Sequence, residues 1–318
     1  MKTLNKYFVF SDVHGEYKAL QDALQEAGYD SKNPNHKLIS LGDNFDRGPD
    51  SRKIWSFLRQ NKAICVKGNH DAMFQEYMEK GMDGEYVLFN VLHNGLGETI
   101  KSFSGMRDDM FSIPNLELAR KNMMDKQSIT DWLKNLPLYY ETENFIFVHA
   151  GIDPYKPNWK DTDEKFMLWD IEYSHVPCIN TNDKIVVIGH HHAFRVRENA
   201  KRHGYSEVPL REYAIPTKTM DENGRKKRIT LSWVGNTDEN RPYSSGNKIA
   251  IDGCTNLTGK VNVLIFEDYE KDETPEETNI RVNPMETRVY TSDGLYTISQ
   301  GIDYTNYTYT NPIGGFRA

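Results

Sequence analysis

Cysteine is scarce in this 318-residue chain: Cys65, Cys178 and Cys254 are far apart, odd in number and never in a C-x-x-C pair. That spacing excludes a disulfide framework and a cysteine zinc knuckle, and it suits a reducing compartment. Long apolar runs are missing too. Tyr7-Phe8-Val9-Phe10 is too short for a signal-peptide core, and no later run approaches the roughly 18 residues of a membrane span. Nor is there a basic excess. Lys and Arg number 39 against 46 Asp and Glu, a net charge of −7, so nucleic acid is not the expected partner. Repeats of long period are absent. What remains is a soluble, cytoplasmic globular protein of one large domain or two modest ones, with length enough for a sizeable core.

Within that frame the first third alternates short apolar runs with amphipathic stretches. Tyr7–Phe10, Lys37–Leu41 and Ala63–Val66 read as strands. Glu16–Ala27, with Ala19, Leu20, Ala23, Leu24 and Ala27 at helical spacing, and Ser51–Gln60 read as helices. Such alternation predicts parallel crossover units in an α/β sheet. Residues 86–135 are mostly helical in pattern, with a looser middle around Gly105–Pro114. Strand patterns return at Leu138–Glu141, Phe145–Val148, Ile185–Ile188, Ile229–Val234, Ile249–Ile251 and Val261–Phe266, so antiparallel members should complete the sheet. An inserted region, 195–247, carries the basic run Arg225-Lys226-Lys227-Arg228 after the turn signal Asn223-Gly224. This run reads as a solvated hairpin tip or as a lip that recruits anions. From Glu267 an acidic linker leads into a C-terminal β-rich extension, 267–318. It has a hairpin around Ser292-Asp293-Gly294 and a Tyr/Thr-rich end, Tyr304–Tyr309, that packs on the body or docks a partner.

Five short motifs stand at the C-terminal ends of the expected strands, the edge where ligands collect in open α/β sheets. They are Ser11-Asp12-Val13-His14-Gly15, Gly42-Asp43-Asn44-Phe45-Asp46-Arg47-Gly48, Gly68-Asn69-His70-Asp71, His149-Ala150-Gly151 and Gly189-His190-His191-His192. Asp12 and His14, two apart, would project to one side of an extended backbone. Carboxylate oxygen with imidazole nitrogen suits a divalent transition metal rather than calcium. Asp43, Asn69, His149 and His190 add four N/O donors on the same edge. Six donors exceed the need of one tetrahedral zinc and suffice for two metals, with Asp43 as the natural bridge and water completing the shells.

The motifs D-x-H-G, G-D-x-x-D-R-G, G-N-H-D, H-A-G and G-H, in that order, resemble those of the metallophosphoesterases. The ending Asp46-Arg47-Gly48-Pro49 resembles the phosphoprotein phosphatase branch in its bacterial and phage-type form, a group that includes serine/threonine phosphatases and symmetrical diadenosine-tetraphosphate hydrolases. The likeness covers Tyr7 to Phe266, so 1–266 is the expected catalytic domain. It implies a two-sheet α/β sandwich flanked by helices. It also implies one metal on Asp12, His14 and Asp43 and a second on Asp43, Asn69, His149 and His190, with manganese first and iron or zinc as alternatives. His70 would be the general acid, oriented by Asp46, and Arg47 would clamp phosphoryl oxygens. The implied substrate is a phosphorylated protein or a small phosphate ester, cleaved as a monoester, or else a dinucleoside polyphosphate. A non-catalytic, metal-stabilised scaffold is the minor alternative, against which His70, Asp46 and Arg47 count.

One departure from the pattern concerns a second phosphate-binding arginine, which relatives carry just after a Leu-Trp pair. Here Leu168-Trp169 is followed by Asp170, and no arginine occurs from Lys121 to Phe194. Arg195 or Lys165 is the expected substitute, although lysine lacks the bidentate fork. His191 and His192 read as neighbours of the ligand His190, and Asp252, in Ile251-Asp252-Gly253, as a possible hydrogen-bonding support. Trp55, Trp132 and Trp169 read as core or rim. His36, His93, His175 and His203 read as ordinary loop histidines.

Overall fold

In the computed structural model, residues 4–123, 125–177, 181, 184–210, 215–220, 226–269, 288–291 and 294–297 are described. The apolar runs of the first third form three parallel strands, β1 (Leu4–Phe10), β2 (His36–Ser40) and β3 (Ile64–Cys65). Helices α1 (Tyr17–Glu26) and α2 (Ser51–Gln60) join them as crossovers. A helical block follows: α3 (Asn69–Lys80), α4 (Val87–His93), α5 (Leu96–Ser104), α6 (Ile113–Asn122) and α7 (Lys126–Lys134). Pro114 sits in the first turn of α6, where its missing N–H costs nothing.

A second parallel set begins after the block. Strands β4 (Tyr139–Glu141) and β5 (Phe145–Val148) lead to α8 (Glu164–Trp169). Then come β6 (Ile185–Ile188), α9 (Ala193–Arg202), β7 (Ile215–Met220), β8 (Lys226–Ile229), β9 (Ser232–Val234), β10 (Tyr243–Ser245), β11 (Lys248–Ala250) and β12 (Val263–Tyr269). The strands form two five-stranded mixed sheets, ordered β3-β2-β1-β12-β9 and β10-β11-β6-β5-β4. In the first, β12 runs antiparallel to β1 with Phe8 opposite Ile265. In the second, β5 and β11 flank β6 in parallel, with Phe147 and Ile249 opposite Val187.

Because strand side chains alternate faces, each sheet feeds two cores. Tyr7, Val9, Ile39 and Leu41 from one sheet meet Phe145, Phe147, Val187 and Ile249 from the other, while Phe266 of β12 stacks on Phe145 with ring centroids 4.1 Å apart. On the outer face of the first sheet, Phe8, Phe10 and Ile265 pack under the helices with Leu20, Ile54, Phe74 and Phe103. Ile146, Val186 and Ile188 do the same under α8 and α9 with Met167 and Val196. The result is a four-layer α/β/β/α sandwich, so the expected fold class holds. Trp55 is in the first outer core, and Trp132 lies at its margin.

Several boundaries differ from the sequence reading. The run Ile229–Val234 breaks at Thr230-Leu231 because β8 pairs with β7, Ile229 opposite Ile215, while β9 pairs with β12. Glu267–Tyr269, read as linker from their acidity, are strand paired with Leu4–Lys6, and Asp268 is buried by hydrogen bonds from Asn144. The chain divides into two compact units, Met1–Asp272 and Glu273–Ala318. In the second, β13 (Arg288–Thr291) and β14 (Gly294–Thr297) pair antiparallel with Tyr290 opposite Leu295. Asn223-Gly224, Arg225, Cys178, most of the acidic stretch and the Tyr/Thr-rich end lie outside the described residues. No helix among the described residues is long and apolar enough to cross a membrane.

Candidate metal centre

The C-terminal ends of both parallel sets open onto one site. Asp12 and His14 follow β1, Asp43 follows β2, Asn69 and His70 open α3, His149 directly follows β5, and His190 follows β6. All are buried except His190, which is partly so. The D-x-H segment is not extended, as its spacing suggested. Asp12 and His14 have φ of 53° and 47°, and Asp43, Asp46, Arg47 and His190 also lie in the left-handed region. Non-glycine residues held there cost about 1–3 kcal/mol each and persist where surrounding structure imposes them. Close packing of glycines imposes them here. A Cβ on Gly42 would overlap Gly68 N, and one on Gly68 would overlap Asp43 Oδ1, so the β2 and β3 loops touch backbone to backbone. Where the two sheets meet, a Cβ on Gly189 would overlap Ser11 Oγ and lie 2.5 Å from Asp12 Oδ2.

Two donor clusters share Asp43. In one, donor atoms of His14, Asp43 and His70 all lie within 4.8 Å of one another; in the other, those of Asp43, His149 and His190 do. The Asn69 amide reaches His149 Nε2 (2.8 Å) and His190 Nδ1 (3.0 Å). With its NH2 turned inward it also donates to Asp43 Oδ2 at 3.1 Å. Asp12 belongs to neither cluster: its Oδ2 accepts from Ser11 Oγ and from the His190 N–H at 2.9 Å. His190 alone of the three consecutive histidines joins a cluster. His191 Nε2 bonds the Asp170 carbonyl, and His192 Nε2 lies 3.9 Å from Asp252.

Ring orientation is set from behind. His149 Nδ1 donates to Leu41 O (2.7 Å) and His14 Nδ1 to Phe45 O (3.0 Å), which leaves each Nε2 lone pair facing Asp43. Burial is the first cause of every shift here. It holds Asp12 and Asp43 well above the carboxylate range, with a neighbouring carboxylate next in importance: Asp252 for Asp12, and Asp12 for Asp43. It also lowers His14 and His190 and takes His149 down to about 3. Neutral imidazoles are ready ligands, and buried carboxylates crowded together need positive charge to ionise. The donor set therefore fits divalent cations, which satisfy both requirements.

His70, a member of the first cluster, donates from Nδ1 to Asp46 Oδ2 at 2.7 Å, and Arg47 Nη2 approaches its Nε2 at 3.2 Å. Burial lowers the His70 pKa against the opposing pull of Asp46. Asp46 is itself held by Thr99 of α5, whose Oγ1 accepts from the Asp46 N–H (2.7 Å) and donates to Asp46 Oδ1 (2.6 Å). Nothing in the sequence singled out Thr99, which stands 53 residues away in an unremarked helix. Asp71, quoted only as part of a motif, accepts from the Gly68 N–H (2.8 Å) and the Asp43 N–H (3.1 Å). Burial pushes its pKa up to about 7.

Asp252 closes the wall behind Asp12. Its Oδ1 accepts from the Cys254 N–H (2.7 Å), and burial raises it to about 6. Arg195, in the first turn of α9, and Arg47 both bear electrostatically on Asp252 and His192. Lys165 lies on α8, one turn before Trp169. The remaining histidines stand apart from the clusters. His36 packs on Phe8 and Tyr29, His93 on Phe89, and His175 stacks on His203.

Comparison with known proteins gives a consistent result. The family model described as calcineurin-like phosphoesterase matches residues 6–266. Serine/threonine-protein phosphatase 2 of Escherichia coli (strain K12) is 45% identical over 81 residues, covering 26% of this chain and 36% of that protein. The symmetrical bis(5'-nucleosyl)-tetraphosphatase of Coxiella burnetii (strain Dugway 5J108-111) is 27% identical over 150 residues, covering 46% of this chain and 42% of that protein. The aligned segments thus span less than half of each of these relatives. A solved metallophosphoesterase from Sphaerobacter thermophilus overlays with a TM-score of 0.41 at 15% identity, covering 85% of this chain and 89% of that one.

Proposed function

The chain belongs to the calcineurin-like phosphoesterase family, and from that premise we propose that it is a phosphomonoesterase acting on phosphorylated serine or threonine in protein. The observation that carries this reading is the convergence of a carboxylate-backed histidine and an arginine on the donor pair centred on Asp43. Asp12, His14, Asp43, Asn69, His149 and His190 would hold two divalent cations, with manganese the first choice. Such ions supply an acidified water near neutral pH and charge that offsets the phosphoryl oxygens.

The protein's own groups account for the rest of the reaction. Arg47 swings from His70 Nε2 onto the non-bridging oxygens, where its fork suits a phosphoryl group. That movement frees Nε2 to carry a proton, and Asp46 at Nδ1 stabilises the imidazolium. As the ester bond breaks, Nε2 delivers this proton to the departing serine or threonine oxygen, a contribution of about 10²–10⁴-fold. Thr99 keeps Asp46 in plane, and the Gly95 carbonyl, accepting from Arg47 N at 3.2 Å, fixes the backbone from which the guanidinium swings. Asp46 holds Nδ1 and the Nε2 released by Arg47 carries the proton, so His70 is assigned as acid although it adjoins the donors of His14 and Asp43.

A second reading, hydrolysis of symmetrical dinucleoside polyphosphates, is favoured by the likeness to the Coxiella burnetii protein over the longer segment. Both readings use the same donors and acid. The test is phosphate release from an aryl phosphate with added manganese, followed by phosphopeptides and diadenosine tetraphosphate in parallel. His70→Asn should lower kcat about 10²–10⁴-fold while the protein keeps about two ions per chain. A loss below tenfold overturns the assigned acid, and uptake of a single ion overturns the two-cation centre.

A further inference from the structure

Large apolar side chains left in solvent are not scattered over this molecule. Among the described residues they gather chiefly in the helical block and in the stretch that ends α8. On α4, Leu88, Phe89 and Leu92 are 41%, 54% and 59% exposed; beyond the second sheet, Tyr155, Trp169 and Ile171 are 69%, 40% and 73% exposed. Apolar patches of this kind mark contact surfaces.

Each group leads by a short connection into the candidate site. Leu92 stands three residues before Gly95, the residue whose carbonyl holds the Arg47 N–H and on which a Cβ would lie 2.8 Å from Arg47 Cα. The Trp169 ring meets His190 edge-on, with centroids 6.4 Å apart and planes at 81°. The backbone under Ile171 is fixed rather than loose. Asp170 Oδ1 takes the N–H groups of Glu172 (3.1 Å) and Tyr173 (3.0 Å), and Lys248 Nζ donates to the Tyr173 carbonyl (3.0 Å). Tyr155 packs on Tyr173 with centroids 5.5 Å apart.

One lip therefore borders Arg47 on the first sheet's side and the other borders His190 on the second sheet's side, with the phosphoryl-handling groups between them. We infer that these lips seat large apolar side chains of a phosphorylated polypeptide, one on either side of the modified residue. Phe89, Leu92, Trp169 and Ile171 then determine specificity. The inference rests on the phosphatase reading above.

Charge complementarity fixes the middle of such a segment, since a dianionic phosphoryl group is drawn to Arg47, with Arg195 nearby. Chemistry favours side chains over nucleobases on the lips. Of the six residues only Tyr155 and Trp169 carry a polar atom, whereas a base-reading surface must pair the ring's donors and acceptors. In an extended peptide the residues two before and two after the phosphorylated one project to its own face, about 7 Å to either side, so these two reach the flanks. An apolar side chain seated on such a lip should improve kcat/KM about tenfold over glycine.

The test compares two phosphothreonine peptides of equal charge, with leucine or glycine two residues before and two residues after the phosphothreonine, on manganese-loaded protein. Wild type should prefer the leucine peptide at least tenfold in kcat/KM. Phe89→Ala with Leu92→Ala, and separately Ile171→Ala, should each reduce that ratio at least threefold, with melting curves confirming that the variants fold. A ratio near one in wild type, or one unmoved by these exposed-site variants, overturns the inference. So does a fall in turnover of diadenosine tetraphosphate that matches or exceeds the fall for the leucine peptide. If no phosphoester, aryl phosphate included, is hydrolysed, the phosphatase reading fails on its own. Fluorescence anisotropy of the labelled peptides then decides the lips: tighter binding of the leucine peptide supports them, and equal binding overturns them.

Discussion

Gly189→Ala probes the place where the two sheets touch. Gly189 lies outside the left-handed region, so alanine carries no backbone penalty there and the perturbation is purely one of space. The added methyl would overlap Ser11 Oγ and sit 2.5 Å from Asp12 Oδ2 and 2.9 Å from Ser11 Cβ. Ser11 and Asp12 are each 2% exposed and cannot swing into solvent. To restore ordinary contact of 3.4 Å or more, the Asp12 carboxylate must retreat by about 0.9 Å. That retreat strains the bond it accepts from the His190 N–H at 2.9 Å, and His190 moves with it. Overpacking of this sort costs about 1–3 kcal/mol, a fall in Tm of about 2–10 °C for a chain of this size. Displacement near 1 Å at a reacting centre costs about 10²-fold in rate. Turnover of an aryl phosphate with saturating manganese should therefore drop about a hundredfold while most of the protein remains folded at 25 °C. A Gly189→Ala protein with turnover within threefold of wild type and two ions per chain would refute the claim that the sheets meet tightly at this point.

Two further outcomes follow from buried polar groups. Thr99→Val leaves the Asp46 N–H and Oδ1 without their partner, at about 1–3 kcal/mol for each. It should lower kcat about tenfold or more with little change in KM, whereas Thr99→Ser should retain activity; equal activity of the two variants would remove Thr99 from the relay. Asp268 accepts the backbone N–H (3.0 Å) and side-chain amide (2.6 Å) of Asn144, and burial raises its pKa. A carboxyl raised in the folded state binds its proton more tightly there, so its contribution to stability is complete below about pH 4 and is lost as pH rises through the folded value. Relative to Asp268→Asn, wild type should therefore lose stability between pH 4.5 and 7.5. Melting curves at both values check this, and a constant difference would contradict it.

Much of this centre was legible in the sequence because its chemistry is concentrated in short segments after apolar runs. Those runs, Phe8–Phe10, Ile39 and Val186–Ile188 among them, are buried on both faces and so stand out. The conformation of the segments was not legible. Asp12, His14, Asp43, Asp46, Arg47 and His190 adopt left-handed backbone against their local preference, because glycine contacts and hydrogen bonds distant in sequence hold them there. Asp12 illustrates the cost of reading spacing alone. The D-x-H pair is not extended, and the His190 N–H binds one oxygen of the Asp12 carboxylate, a contact that spacing does not reveal. Thr99 escaped notice for a different reason: its role depends entirely on α5 packing across the loop that holds Asp46. The division of the strands into two sheets came from the family likeness, since periodicity does not say which strands pair.

Because the candidate donors stand on two sheets, any cations they hold would be loaded only after both sheets have formed. His149 and His190 emerge 80 and 121 residues after Asn69 during synthesis. A nascent chain that has formed only β1 to α3 therefore presents Asp43 with neighbours on one side. Full coordination is offered once the later strands have docked and Gly189 has closed against Ser11. Ion capture by these residues would then serve as an inspection of finished assembly. By mass action it would also make release of either sheet harder, with about 2.7 kcal/mol added when the free ion stands at a hundred times its Kd.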